Sequence, residues 1–384
     1  MDLTTLITAA GLLLGVIVGN AAYFGNALYV SITIPTKMEQ AGFGKSTVEK
    51  IFVAELHRYL LLPSIIPTPS IATSSTPSLP QALAKPLQLQ DVVYAVQAMV
   101  HDYGVVNVDS SIIDEPSGSS TNMIVVVSNP PDPPASLTLS QPDGDIKALV
   151  EHAARETMIT IGPYRVAVTD FEDGITGDAS GFDRSKETIA RGLAQPWDPR
   201  AAGATEDVLL LNLRGLLDMR DGRLDEAAKD FVTAKGYPGA YPAAYSIVSL
   251  NQAFLSIAQN QPAEAERRFK RGAADVAAIQ QDGIASRVKV LEGLVAWSQG
   301  NRADAEKDFL AAISIGDNDA MPHLYLADLL ERRGAMADAA SQRRAGADAE
   351  RFDPKYPALA YTIFRVDPEH GGLRPAFRNA EHHE

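Results

Sequence analysis

The sequence predicts three architectures in series: an N-terminal single transmembrane helix, then an α+β domain, then an all-α solenoid. Three observations predict this. Leu3–Phe24 is an apolar run without a charge. The middle of the chain alternates β-branched runs with amphipathic helical spacing. From about Thr205 an alanine-rich pattern recurs at fixed offsets. A chain of 384 residues allows two to three domains, at roughly 100–200 residues each. Apolar residues at 46% and charged residues at 21% are ordinary for a globular protein.

The net charge of −14 repels phosphate backbones, so nucleic acid is excluded from the expected partners. The chain has no cysteine. Disulfides, thiolate metal sites, iron–sulfur clusters and cysteine nucleophiles are therefore absent.

Residues 1–28 form the expected anchor. Twenty-two helical residues rise about 33 Å, enough to cross a bilayer. A cleaved signal peptide competes, but only Asp2 and the α-amino group precede the apolar run, so the positive n-region is missing. Gly11, Gly15 and Gly19 share one helix face and would let a second membrane helix approach closely. Lys37, Lys45 and Lys50 favour a cytoplasmic bulk by the positive-inside rule. The lysine-poor, cysteine-free chain and its Pro/Ser/Thr loop favour an exported one. The expected location is the inner (cytoplasmic) membrane, single-pass, with a periplasmic bulk.

Residues 29–172 form the expected α+β domain. Tyr29–Pro35 reads as a strand, and Ser46-Thr47-Val48-Glu49 has capping-box spacing before a helix to about Leu62. Pro63–Pro86 is a Pro/Ser/Thr-rich surface loop. Helical spacing follows over Leu87–Tyr103, then strands at Val105–Ile113, Asn122–Ser128 and Ser136–Ser140. A helix over about Asp145–Met158 and a short strand at Tyr164–Val168 complete the set. An acidic linker is expected over 173–204.

Chemistry finds little purchase. Gly44-Lys45-Ser46 imitates the end of a phosphate-binding loop, but the position where that motif needs its first glycine holds Glu39. His57, His101 and His152 lie on separate helices without metal-ligand spacing. Asp170–Asp183 is rich in carboxylates without the calcium-loop spacing. No catalytic residue, metal or cofactor is expected, and the chain reads as no enzyme.

In the last region Gly222–Ala234, Asn260–Gly272, Gly300–Ala312 and Gly334–Gly346 align on Ala227, Ala265, Ala305 and Ala339. Four residues later the first three units carry Phe231, Phe269 and Phe309, and the fourth carries Arg343. Twelve residues before each alanine stands Gly215, Ala253, Gly293 or Ala327. This pattern resembles the tetratricopeptide repeat (TPR) family, over residues 205–352. The resemblance implies an all-α TPR solenoid of antiparallel helix pairs, with small residues where the helices touch and aromatics at the joint to the next pair. A capping helix at Tyr356–Arg365 and an extended tail would fill 353–384. The region before the repeats loosely resembles domains of membrane-anchored TPR proteins of the bacterial cell envelope.

The resemblance also implies a partner-binding groove lined by the first helix of each unit. Transferred to this chain, it is lined by Leu216, then Leu250, Phe254 and Ile257, then Val290, Leu294 and Trp297, with Asn212, Met219, Leu324 and Asp328 beside them. Most of these are apolar, which suits an amphipathic or apolar segment. The competing reading is a tail from Asp353 folding back over the face. The expected function is a membrane-anchored protein-interaction scaffold or assembly factor. Its expected partners are other proteins, including a membrane-embedded partner or a second copy. A non-catalytic accessory subunit of a membrane complex and an envelope solute sensor are the alternatives.

Overall fold

The computed structural model describes residues 27–40, 42–61, 65–66, 68–73, 105–114, 121–128, 133–141, 144–196, 200–276, 282–316, 319–349, 359 and 363–375. Two compact units divide the chain, Met1–Val166 and Ala167–Glu384.

The first unit holds β1 (Ala27–Thr33), α1 (Thr36–Gln40), α2 (Lys45–Leu60), β2 (Ser70–Thr73), β3 (Val105–Asp114), β4 (Thr121–Ser128), β5 (Ala135–Gln141) and α3 (Ile146–Ile161). The sheet order is β2-β1-β3-β4-β5. β1 runs parallel to β2 and β3, and β3, β4 and β5 alternate in direction. Period-two alternation turns Val30 and Ile32, Val106 and Val108, and Met123 and Val125 to one buried face. That face packs in one core with Val48, Phe52 and Leu56 of α2 and Leu149 and Ala153 of α3. Asp145 caps α3 by accepting from the Ala148 amide at 3.1 Å.

The second unit is helical. After α4 (Pro163–Thr176), which carries the chain from one unit to the next, come α5 (Ser180–Leu193), α6 (Ala201–Arg220), α7 (Leu224–Gly236), α8 (Pro242–Ala258) and α9 (Pro262–Val276). They are followed by α10 (Asp282–Ser298), α11 (Arg302–Ile315), α12 (Ala320–Arg332) and α13 (Met336–Asp348), then strands β6 (Phe364–Val366) and β7 (Leu373–Pro375). The helices α6–α7, α8–α9, α10–α11 and α12–α13 pack as consecutive pairs.

Several expectations change. No helix among the described residues is long and apolar enough to cross a membrane. The longest, the 20-residue α6, contains Glu206, Asp207, Arg214, Asp218 and Arg220, whose charges bar it from hydrocarbon. The fold class is thus corrected to a mixed five-stranded sheet with helices followed by paired helices, and the single-pass inner-membrane location is withdrawn with the transmembrane helix. The span expected over 1–28, with Gly11, Gly15 and Gly19, lies outside the described residues, as does the helix expected over Leu87–Tyr103.

The capping box at Ser46 does not form. α2 begins at Lys45, with Gly44, two residues before Ser46, at the cap position and no side-chain bond to the helix end. Within the Pro/Ser/Thr stretch, Ser70–Thr73 pairs with β1 as an edge strand. Tyr164–Val168 is helical: Pro163 suits a first helical turn, and a run buried on every side looks alike as strand or helix over five residues.

The segment expected as an acidic linker contains the last turn of α4, all of α5 and the first turn of α6. Arg184 draws in Asp170 (3.3 Å), Asp173 (3.1 Å) and Asp178 (2.9 Å), offsetting the carboxylate repulsion that suggests a linker. The helices meet at glycines, where a Cβ on Gly181 would lie 2.4 Å from the Asp170 carbonyl oxygen. Tyr356–Arg365 does not end as a helix, because Phe364–Val366 forms β6.

Candidate functional site

The first and third helix pairs are built alike. Gly215 of α6 faces Phe231 of α7, where an added Cβ would come within 2.6 Å of the ring. Gly293 of α10 faces Phe309 of α11 in the same way, at 2.7 Å. Arg214 also pairs with Asp230 at 2.6 Å, and Arg223 with Asp218 at 2.5 Å. Arg214 meets Asp230 far along α7, whereas Asp218, one turn later in α6, meets Arg223 at the cap of α7, so the pair is antiparallel. Phe231 and Phe309 thus seat on the small residue of their own pairs. Phe309 also stacks on Tyr325 of the next pair, with centroids 5.8 Å apart. In the fourth unit Arg343 replaces the aromatic and bonds Asp328 and Glu331.

The turns inside the pairs share one backbone motif. Gly222, Asn260, Gly300 and Gly334 all have positive φ, each five residues before its aligned alanine. The next residue's amide bonds a carbonyl five residues back: Arg223 to Asp218, Gln261 to Ser256, Asn301 to Ala296 and Ala335 to Leu330. This is the helix C-cap that left-handed glycine or asparagine permits, and it explains why the units open on Gly or Asn. First helices of neighbouring pairs are joined at Asn212, whose amide oxygen accepts from Asn251 Nδ2 at 2.8 Å.

Across the array lies a C-terminal hairpin, β6–β7, pairing Phe364 with Pro375 and Val366 with Leu373. It touches three of the four pairs. The Gly372 amide donates to the Ala258 carbonyl at the end of α8 (2.7 Å). The Val366 amide donates to the Tyr325 hydroxyl of α12 (3.0 Å). Arg365 pairs with Asp328, also on α12. Glu369 is the centre of the contact. Its Oε1 accepts from Trp297 Nε1 (2.8 Å) and pairs with Arg302 (2.6 Å), and its Oε2 pairs with Arg332 (2.5 Å). Arg332 also reaches Asp367 at 3.0 Å and stands 5.4 Å from the centre of the Trp297 ring.

Gly371 is required at this contact. Its φ is +76°, and a Cβ there would sit 2.6 Å from the Ala258 carbonyl oxygen. The Trp297 hydrogen bond and the two arginines hold the Glu369 carboxyl below its ordinary pKa. Burial raises the pKa of Asp367, but the Glu369 amide, His370 and Arg332 outweigh it and leave the group lowered. Burial pushes the Tyr325 hydroxyl well above its ordinary value.

The seven groove residues expected from the sequence are all buried: Leu216 on α6; Leu250, Phe254 and Ile257 on α8; Val290, Leu294 and Trp297 on α10. Leu250 lies against Gly272 of its own second helix, inside the pair. Trp297 lies beneath the hairpin, and Asp328 meets it through Arg365. The polar residues that fasten the hairpin, Arg302, Arg332, Asp367 and Glu369, are absent from the sequence-derived set. Their one sequence signal is the turn-rich Asp367-Pro368-Glu369-His370-Gly371-Gly372 after the β-branched end of Phe364–Val366. Among the described residues no cluster of His, Asp and Glu could hold a metal ion.

Compared with known proteins, the chain matches no family model and no curated protein. The resemblance to TPR repeats therefore rests on the recurring residue offsets.

Proposed function

We propose that this protein is a protein-interaction scaffold or assembly factor whose array of helix pairs docks partner proteins, with no catalytic step of its own. One observation carries the reading: an extended segment is seated across the first helices of three consecutive pairs through backbone, aromatic and charged contacts. A repeating array supports this work because each added pair extends one continuous surface. The TPR-like offsets at Gly215, Ala253, Gly293 and Ala327 support the same reading.

The test is quantitative co-purification with the full chain under native conditions. A stoichiometric partner should be lost with Gly293→Leu, which forces the third pair apart, and kept with Gly236→Ala, which meets open space. A partner retained equally by both variants, or no stoichiometric partner at all, overturns the reading.

A further inference from the structure

The hairpin is not part of the repeating architecture. The four pairs end at α13, and a segment serving only to cover the end of the array would rest on the last pair. This one reaches back to Ala258, Trp297 and Arg302 in the second and third pairs. It also presents itself as a peptide ligand would. Phe364, Val366 and Pro368 are buried at alternate positions, and Glu369 follows as the carboxylate on which an indole N–H and two arginines converge.

Two strands of three residues are not stable alone, so the array holds this hairpin in shape. Its ionic fastenings involve the exposed Arg302 and the half-exposed Arg332, and ion pairs of that kind hold weakly. In a chain with net charge −14, two arginines and a tryptophan N–H aimed at one carboxylate form a local site for an acidic group.

We propose that the surface beneath the hairpin is the docking site for a partner's segment with apolar side chains at alternate positions and a carboxylate following them. The hairpin is its internal occupant, and a partner enters by displacing it. This deepens the docking reading above and rests on it.

The probe is a labelled synthetic peptide with the sequence Ile363–Pro375, titrated by fluorescence anisotropy against the full-length chain. A second peptide keeps only Phe, Val, Pro and Glu at their spacing in an unrelated sequence. Glu369→Gln weakens the internal occupant, so both peptides should bind this variant at least tenfold tighter than the wild-type chain. Adding Arg332→Ala should return binding to the wild-type level or below. Circular dichroism confirms that each variant keeps its helices; if Glu369→Gln does not, Asp367→Asn takes its place.

Binding that is equal for both chains, or that ignores Arg332, overturns the proposal. A Glu369→Gln chain that dimerises and binds no peptide also overturns it, since the surface then belongs to a second copy. A stoichiometric partner kept in full by Arg302→Ala/Arg332→Ala, yet lost with Gly293→Leu, overturns this proposal and leaves the docking reading intact.

Discussion

In the sheet unit the stabilising contacts run between residues far apart in the chain. The Ser110 hydroxyl donates to the Ser31 carbonyl 79 positions away, and β1 lies between β2 and β3, its partners from two later stretches of sequence. In the helical array the decisive contacts are close in sequence: Gly215 against Phe231, Gly293 against Phe309, Arg214 with Asp230. The sheet's core is shared, so one lost side chain is felt by strands and helices together. Each helix pair packs within itself and against its immediate neighbours, and passes force only to them. A surface spread over several pairs can thus change its occupant without the pairs unfolding, which a shared core would not permit.

The largest effect is expected in the shared core. Phe52 is fully buried among the sheet and α3, so Phe52→Ala should lower the stability of the first unit by about 3–5 kcal/mol in denaturant unfolding. Next comes Gly293→Leu, where overpacking against Phe309 should cost about 1–3 kcal/mol. Gly236→Leu, at an exposed site with no neighbour within 4 Å, should leave the melting temperature nearly unchanged. Equal effects at the two glycines would show that the pairs are not locally built. Asp145→Ala removes the side-chain cap of α3 and should cost about 1 kcal/mol.

The smallest effect on total stability should come from acid at the hairpin. Glu369 faces Trp297, Arg302 and Arg332, and Asp367 faces Arg332 and His370. Both carboxyls are lowered in the folded chain, so their contribution is complete above the unfolded value of about 4. It is lost as pH falls through the folded values. Trp297 emission, read with the second tryptophan replaced by Trp197→Phe, should shift on acidification before helix content falls. Simultaneous loss of both signals would make the hairpin part of the array's core.

How legible each region was follows from the range of its contacts. The array's alanines, aromatics and turn glycines recur at fixed offsets because each pair solves the same local packing problem, so sequence alone exposes them. The three central and edge strands β3, β4 and β5 are legible through their β-branched alternation. β2 is not, because Ser70–Thr73 becomes a strand only through its pairing with β1, inside a stretch whose composition reads as loop. The α4–α5 segment is hidden for a related reason: three aspartates read as a solvated linker until Arg184 is seen to hold all of them. The repeat offsets single out Trp297, but not the carboxylate that meets it. The pairing of Glu369 with Trp297 spans 72 positions and belongs to no repeat, so no periodicity announces it.

Amide hydrogen exchange of the full-length chain tests most directly whether the hairpin is a separable occupant of the array. The amides of Val366 and Gly372 report the hairpin's contacts, and those in the middle of α8 and α10 report the array. The account predicts that the hairpin amides exchange much faster than the helical ones, and that Glu369→Gln speeds the former at least tenfold while leaving the latter unchanged. Hairpin and helical amides exchanging in step, in both the wild-type and Glu369→Gln chains, would contradict it.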